Sequence, residues 1–395
     1  MALAVVTDFG ETGYTDPLVK ALSFGPEKVL AEAAMLAYAA SGLTGRTAVS
    51  TRIERLAARL APLVRSQRAL AEMALQPARS FKYAVPHVLL NQLGHNDPRT
   101  DRYFRARCSQ ALALWSDLPP SAMLEREWIA RLWGLDAGAV GATQEQHFGR
   151  PLDILSESRE DAYAFTHQLF YLTDFGRKPQ VRLARPLDDL LADVEALLLR
   201  YLDAEDYDLA GELLMSWAEL RADWSPTAAF AFRVLARVED EVGVLPCGNA
   251  DVTRMASLNE AEGTRYARAT GYHTAFVMGF LCAAILRSEA LPTVDIGGPE
   301  SPRGTWQTLR DLIDDTQGHW LQDFERSTDV EKRALAGALA NLAILQRIRL
   351  GDYAGVHRLL TLADDASLPP HPVRRVAVHR LHAVAQAMDA ATRPA

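Results

Sequence analysis

Lysine is nearly missing from this chain. Only five of the 42 basic residues are lysine, at Lys20, Lys28, Lys82, Lys178 and Lys332; the others are arginine. With abundant alanine, that bias describes a GC-rich coding sequence and not a chemistry. Cysteine is also scarce. Cys108, Cys247 and Cys282 are too few and too scattered for a disulfide framework. Positive charge is not in excess: the net charge of −8 argues against electrostatic binding of nucleic acid. Residues 1–16 lack a basic n-region and carry Asp8 and Glu11, so a secretory signal is not expected and a reducing cytoplasm is. One long stretch, residues 269–286, has no formal charge, but Thr270, Gly271, Tyr272, His273 and Thr274 occupy its first half. Its apolar part of about 12 residues is short for a membrane span and suits a buried core helix. Gly-x-Ser-x-Gly, a phosphate-binding loop, a dinucleotide fingerprint and His-Glu-x-x-His are all absent, which leaves the common hydrolase and nucleotide-binding classes without support. Asp-Phe-Gly occurs twice without the other kinase motifs. Asp188-Asp189 with Asp193 lacks the second magnesium motif of terpene synthases and reads as a solvated helix face with Glu195 and Asp203.

Runs that alternate apolar and polar residues are rare, which argues against sheet. Helical spacing is everywhere. Ile53, Leu56, Leu60, Leu63 and Val64 recur at three and four residues, as do Leu187, Leu190, Leu191, Val194 and Leu198. Ser158 with Asp161, Ser225 before Pro226, and Pro120-Ser121 mark helix starts. About fifteen helices joined by short turns are expected. The composition, 49% hydrophobic and 23% charged, is that of a soluble globular protein. At 395 residues the chain exceeds one compact core, which predicts two lobes, 1–150 and 151–395, divided in the glycine-rich loop 134–153. Residues 289–304 read as an exposed excursion. Thr7-Asp8-Phe9-Gly10 recurs as Thr173-Asp174-Phe175-Gly176, and Asp206-Tyr207 with Leu213-Leu214 recurs as Asp352-Tyr353 with Leu359-Leu360. These echoes point to an all-α fold of stacked helical hairpins, either a closed α/α toroid or an open solenoid.

Chemistry is sought where charge is missing. Residues 83–94, 162–173 and 269–286 carry no formal charge, so they are expected as the most buried, inner helices. Each holds one histidine in that uncharged part: His87, His167 and His273. His167, Tyr171 and Asp174 fall at i, i+4 and i+7 on one face, apart from the apolar stripe of Ala162, Phe165, Leu169 and Leu172. That face is polar without being solvating, as in a cavity wall. His167 is the expected acid/base or metal ligand, Asp174 its orienting partner, Tyr171 a further catalytic candidate on the same face, and His273 lies opposite in the same cavity. The competing reading makes these histidines core residues with satisfied hydrogen bonds. His87 forms a similar row with Asn91 and His95, which Gly94 interrupts.

Cys247 lies in a turn 26 residues before His273. Cysteine and histidine on a loop and an inner helix make an arrangement similar to the zinc site of lanthionine cyclases, which are α/α toroids. Those enzymes use two cysteines and a histidine, and one suitable cysteine is present here. A divalent metal would therefore need His167, His273 and either Cys247 or His87. The run from Thr166 to Gly176, with Tyr272-His273-Thr274, resembles an uncharacterised helical family of actinobacteria often encoded near natural-product genes; the resemblance covers roughly 158–395. It implies weight on His167, Asp174 and His273 and a role in secondary metabolism. The expected protein is a cytoplasmic tailoring enzyme acting on a small molecule or peptide, without nucleic acid or membrane partners; a homo-oligomer is compatible with the sequence. The alternative is a non-catalytic helical scaffold that binds a peptide or protein.

Overall fold

The computed structural model describes residues 1–12, 26–43, 45–77, 80–112, 120–135, 151–155, 158–246, 248, 252–293, 301–302, 304–313 and 318–392. The fold is all-α: 77% of the chain is helical, and the described residues contain 19 helices and no strand. The expected boundary near 150, Cys247, and half of the excursion at 289–304 fall outside the described residues.

Six helices form the centre. They are α2 (Pro26–Ala40), α5 (Ser80–Gln92), α7 (Pro120–Trp133), α8 (Arg159–Thr173), α10 (Tyr207–Glu219) and α13 (Glu260–Ser288). Their contacts form a closed cycle: α2 packs on α5, α5 on α7, α7 on α8, α8 on α10, α10 on α13, and α13 back on α2. Residue pairs across these contacts rise in number together. Gln92 reaches Leu132 across α5 and α7, and Trp128 reaches Asp174 at the end of α8. Tyr163 meets Asp208 and Thr166 meets Glu212. Asp208 meets His273, and Gly211 lies against Val277. His273 meets Glu32, and Arg287 meets Ala39. All six helices therefore run in the same direction.

The return helices lie between them in sequence. They are α3 (Thr47–Val64), α4 (Gln67–Leu75), α6 (Pro98–Leu112), α9 (Leu187–Asp203), α11 (Pro226–Val242) and the short α12 (Val252–Ala256). Helix α1 (Ala2–Thr12) packs on α3 and α13. A C-terminal group is built on α17 (Ala336–Leu350), which contacts α9, α14 (Thr305–Arg310), α16 (Asp329–Ala334), α18 (Tyr353–Asp365) and α19 (Pro372–Thr392); α15 (His319–Arg326) sits on α11.

Local chemistry sets these elements. Ser158 and Asp161 form a reciprocal capping box that starts α8, and Asn259 with Glu262 does the same for α13. Ser225 caps α11 ahead of Pro226. The Asp-Tyr echo is real at this level: Asp206 and Asp352 cap α10 and α18 with nearly equal backbone angles. The Thr-Asp-Phe-Gly echo is not a structural repeat. The first copy lies within α1, whereas the second ends α8, with Asp174, Phe175 and Gly176 all at positive φ. Close approach of the ring helices needs glycine. A Cβ on Gly211 would stand 2.7 Å from Val277 Cγ1, so α10 can lie against α13 only without one.

All three charge-free segments lie in ring helices. The rule missed α2, α7 and α10, which carry carboxylates and yet belong to the ring. Helix α13 is long and apolar enough by composition to cross a membrane, but 67% of its apolar window is buried in the fold, as for a core helix. Its N-terminus precedes the expected one, so Tyr272-His273-Thr274 sits in mid-helix. The face of α9 expected to be solvated is only partly so. Asp193 is buried on Arg185 (2.7 Å), and Glu195 accepts hydrogen bonds from Ser225 and Thr227.

Candidate functional site

Helix α10 is buried along its whole length, yet carries Asp208 and Glu212 one turn apart on one face. Burying two carboxylates is costly unless they are paired and hydrogen-bonded. The neighbouring ring helices supply those partners. From α8, Tyr163 OH donates to Asp208 Oδ2, Thr166 Oγ1 donates to Glu212 Oε2, and His167 Nε2 lies 3.4 Å from Glu212 Oε1. From α13, His273 Nε2 lies 3.4 Å from Asp208 Oδ1. The other ring nitrogen of His273, Nδ1, donates to Glu32 Oε2 of α2 at 2.9 Å, and Lys28 sits 3.4 Å from the same carboxylate group. Helix α7 adds Glu125, which hydrogen-bonds Tyr171 and feels His167, Lys82 and Glu32. Two imidazoles and four carboxylates thus meet inside the ring, drawn from five of its six helices, and Lys82 of α5 acts on Glu125 only through its charge.

The electrostatics follow. Burial opposes protonation of His273, but Glu32 and Asp208 outweigh it and hold the imidazole at about 9. His167 is also raised: desolvation works against its charge, and Glu212 prevails. Burial pushes Glu32 up, but His273 and Lys28 bring it below its ordinary value. Asp208 and Glu125 are raised by burial, which their cationic neighbours only partly offset. Accessibility is graded. The His167 side chain is 39% exposed, and the Glu212 side chain that holds it only 2%.

The far side of the cluster is closed by aromatic rings. Trp128, Tyr171, Phe175 and Phe280 pack with ring centroids between 5.3 and 6.4 Å apart. Asp174 belongs to that plug. It is the left-handed C-cap of α8, and its carboxylate accepts from Trp128 Nε1 (2.7 Å) and from Tyr38 OH (3.0 Å).

The structure therefore brings together His167 and His273, with Tyr171 on Glu125. The orienting role expected of Asp174 falls to Glu212, and Asp174 braces the closed end; three residues at left-handed φ end α8 there and turn that carboxylate toward Trp128 and Tyr38. His87 is not part of the cluster. It is fully buried, receives Arg65 Nε on Nδ1 (3.2 Å), faces Asp101 across Nε2 (3.3 Å), and stacks near Phe104. Those bonds make it the satisfied core histidine, so it drops out as a metal candidate. Cys247 lies outside the described residues. Glu32, Glu125, Asp208, Glu212, Tyr163 and Thr166 escaped the sequence reading. Their signal was in α10: two acids four apart in a helix without lysine or arginine.

Ring and cluster together define an all-helical protein with a histidine–carboxylate centre enclosed by parallel helices. The chain belongs to the DUF6895 family, a domain of unknown function, which matches residues 19–283. That match starts ahead of α2 and ends within α13, so it spans the ring and every residue of the cluster; α1 and the group around α17 lie outside it. No curated protein and no solved structure matches the chain.

Proposed function

We propose that the protein is an enzyme in which His167 transfers protons to or from a substrate held inside the ring, with Glu212 orienting the imidazole. Of the two architectures expected from sequence, this reading takes the closed α/α toroid, because the contact cycle returns to α2. One observation carries it: two histidines on the ring helices that flank α10 converge on its Asp208–Glu212 pair, while His167 keeps its accessible edge. A carboxylate behind an imidazole fixes its ring and supports its charge during proton transfer. A peptide-binding scaffold needs no such buried cluster, which costs stability. The substrate class is a small molecule or peptide. A tailoring role in secondary metabolism, in the cytoplasm, rests on the resemblance carried by Thr166–Gly176 and Tyr272–Thr274.

The test is a comparison of metabolite profiles by mass spectrometry. One host expresses the parent chain, a second His167→Gln. Glutamine keeps hydrogen-bonding capacity at similar reach and cannot exchange a proton near neutral pH. The expected result is at least one compound converted by the parent and not by the variant, with about a 100-fold or larger loss of rate. Equal conversion by both, at equal levels of folded protein, returns His167 to a structural role.

A further inference from the structure

The cluster has a feature that proton transfer does not explain. Asp208 and His273 each have one polar atom fixed by a partner and a second turned toward the other, and a carboxylate oxygen of Glu212 lies close to both. Asp208 Oδ2 accepts from Tyr163, and its buried Oδ1 accepts no hydrogen bond. Glu212 Oε2 accepts from Thr166, leaving Oε1 toward His167. His273 Nδ1 donates to Glu32, so the opposite nitrogen, Nε2, is the one turned toward Asp208 Oδ1, 3.4 Å away. A proton on Nε2 fills that gap in the metal-free protein, and a metal ion that displaces the proton would be held by the same two atoms. One ligand atom from each of Asp208, Glu212 and His273 lies within 4.8 Å of the other two.

We propose that Asp208, Glu212 and His273 bind one divalent transition-metal ion. Two ligand atoms about 2.1 Å from one ion and tetrahedrally disposed stand about 3.4 Å apart, which is the separation found between His273 Nε2 and Asp208 Oδ1. Glu32 behind His273 completes the carboxylate–histidine–metal arrangement that fixes the imidazole tautomer, and Tyr163 and Thr166 do the same for the two carboxylates. One imidazole and two carboxylates, with no thiolate, suit zinc or manganese. Three protein ligands leave a coordination position open, and His167 lies beside Glu212 on the accessible side. The inference rests on the reading of this cluster as the working site and adds its cofactor. An ion there supplies a polarised water or substrate oxygen, and His167 handles the proton.

The experiment uses the full chain, stripped with chelator and dialysed, then titrated with Zn²⁺ and separately with Mn²⁺ by calorimetry, with elemental analysis of the loaded protein. One ion per chain is expected. Asp208→Asn and Glu212→Gln should each weaken binding by at least about 100-fold, and Glu32→Gln by about 10–100-fold. Circular dichroism confirms that each variant is folded, and Glu32→Gln, which touches no ligand atom, decides the matter if a ligand variant does not fold. A folded parent that takes up neither ion, or an affinity indifferent to Asp208→Asn and Glu32→Gln, overturns the metal. Conversion that depends on His167 but proceeds in a chain without metal overturns it too and leaves the acid–base enzyme standing. Stoichiometric binding without any His167-dependent conversion supports the metal and removes only the acid–base role.

Discussion

Asp174→Ala is expected to be among the most destabilising single substitutions in the chain. It removes the acceptor of two buried donors, Trp128 Nε1 and Tyr38 OH, and places alanine at φ 54°. An orphaned buried donor costs about 1–3 kcal/mol, so two cost about 2–6 kcal/mol before the backbone strain is added. Asp174→Asn tolerates the left-handed angle and keeps one acceptor oxygen, so it should lose about half as much. Denaturant unfolding of the parent and both variants measures this. Variants as stable as the parent would mean that the carboxylate does not brace Trp128 and Tyr38. The same residue read from sequence alone as the partner of His167, because position i+7 on a helix shares its face. The helix ends at Thr173, and the left-handed turn sends Asp174 toward α2 and α7 instead.

The second large effect is a loss of stability on raising pH in the chelated protein. His273 holds its proton up to about 9 when folded, against an ordinary 6.5. A raised imidazole stabilises the fold in full below the unfolded value and loses that contribution as pH rises through the folded one. The window is therefore 6.5 to about 9, and the contribution is on the order of 3 kcal/mol. Glu32, Asp208 and Lys28 face this imidazole, and His167 stands across Glu212. Asp208 and Glu125, raised by burial, act in the same direction from the ordinary carboxylate range upward, because the unfolded chain ionises them more readily. Glu32 works oppositely, and its contribution fades as pH falls through its lowered value. Unfolding free energies measured between about pH 6 and 10 should fall steadily. A flat profile, or one unchanged by Glu32→Gln, would separate His273 from its carboxylates.

The all-α class was legible because apolar spacing and capping residues are local signals. Ser158 and Ser225 sit where their helices begin. His167 and His273 were legible because a histidine in a charge-free helix must find partners inside the fold. The partners themselves were hidden by that rule. A helix with acids was read as exposed, yet in α10 the acids point into the ring and the whole helix is buried. Glu32 and Glu125 were unreadable for a different reason. Each lies more than 80 positions from Asp208 and meets the cluster only once the ring has closed.

The most direct measurement of the central claim, that His167 and His273 share one centre with the α10 carboxylates, is a titration of both imidazoles by nuclear magnetic resonance in the chelated protein. It is repeated in Glu212→Gln. The account expects His273 to titrate near 9 and His167 above 6.5, with Glu212→Gln lowering His167 more than His273. Two imidazoles titrating at ordinary values, or a His167 indifferent to Glu212→Gln in a folded protein, would contradict it.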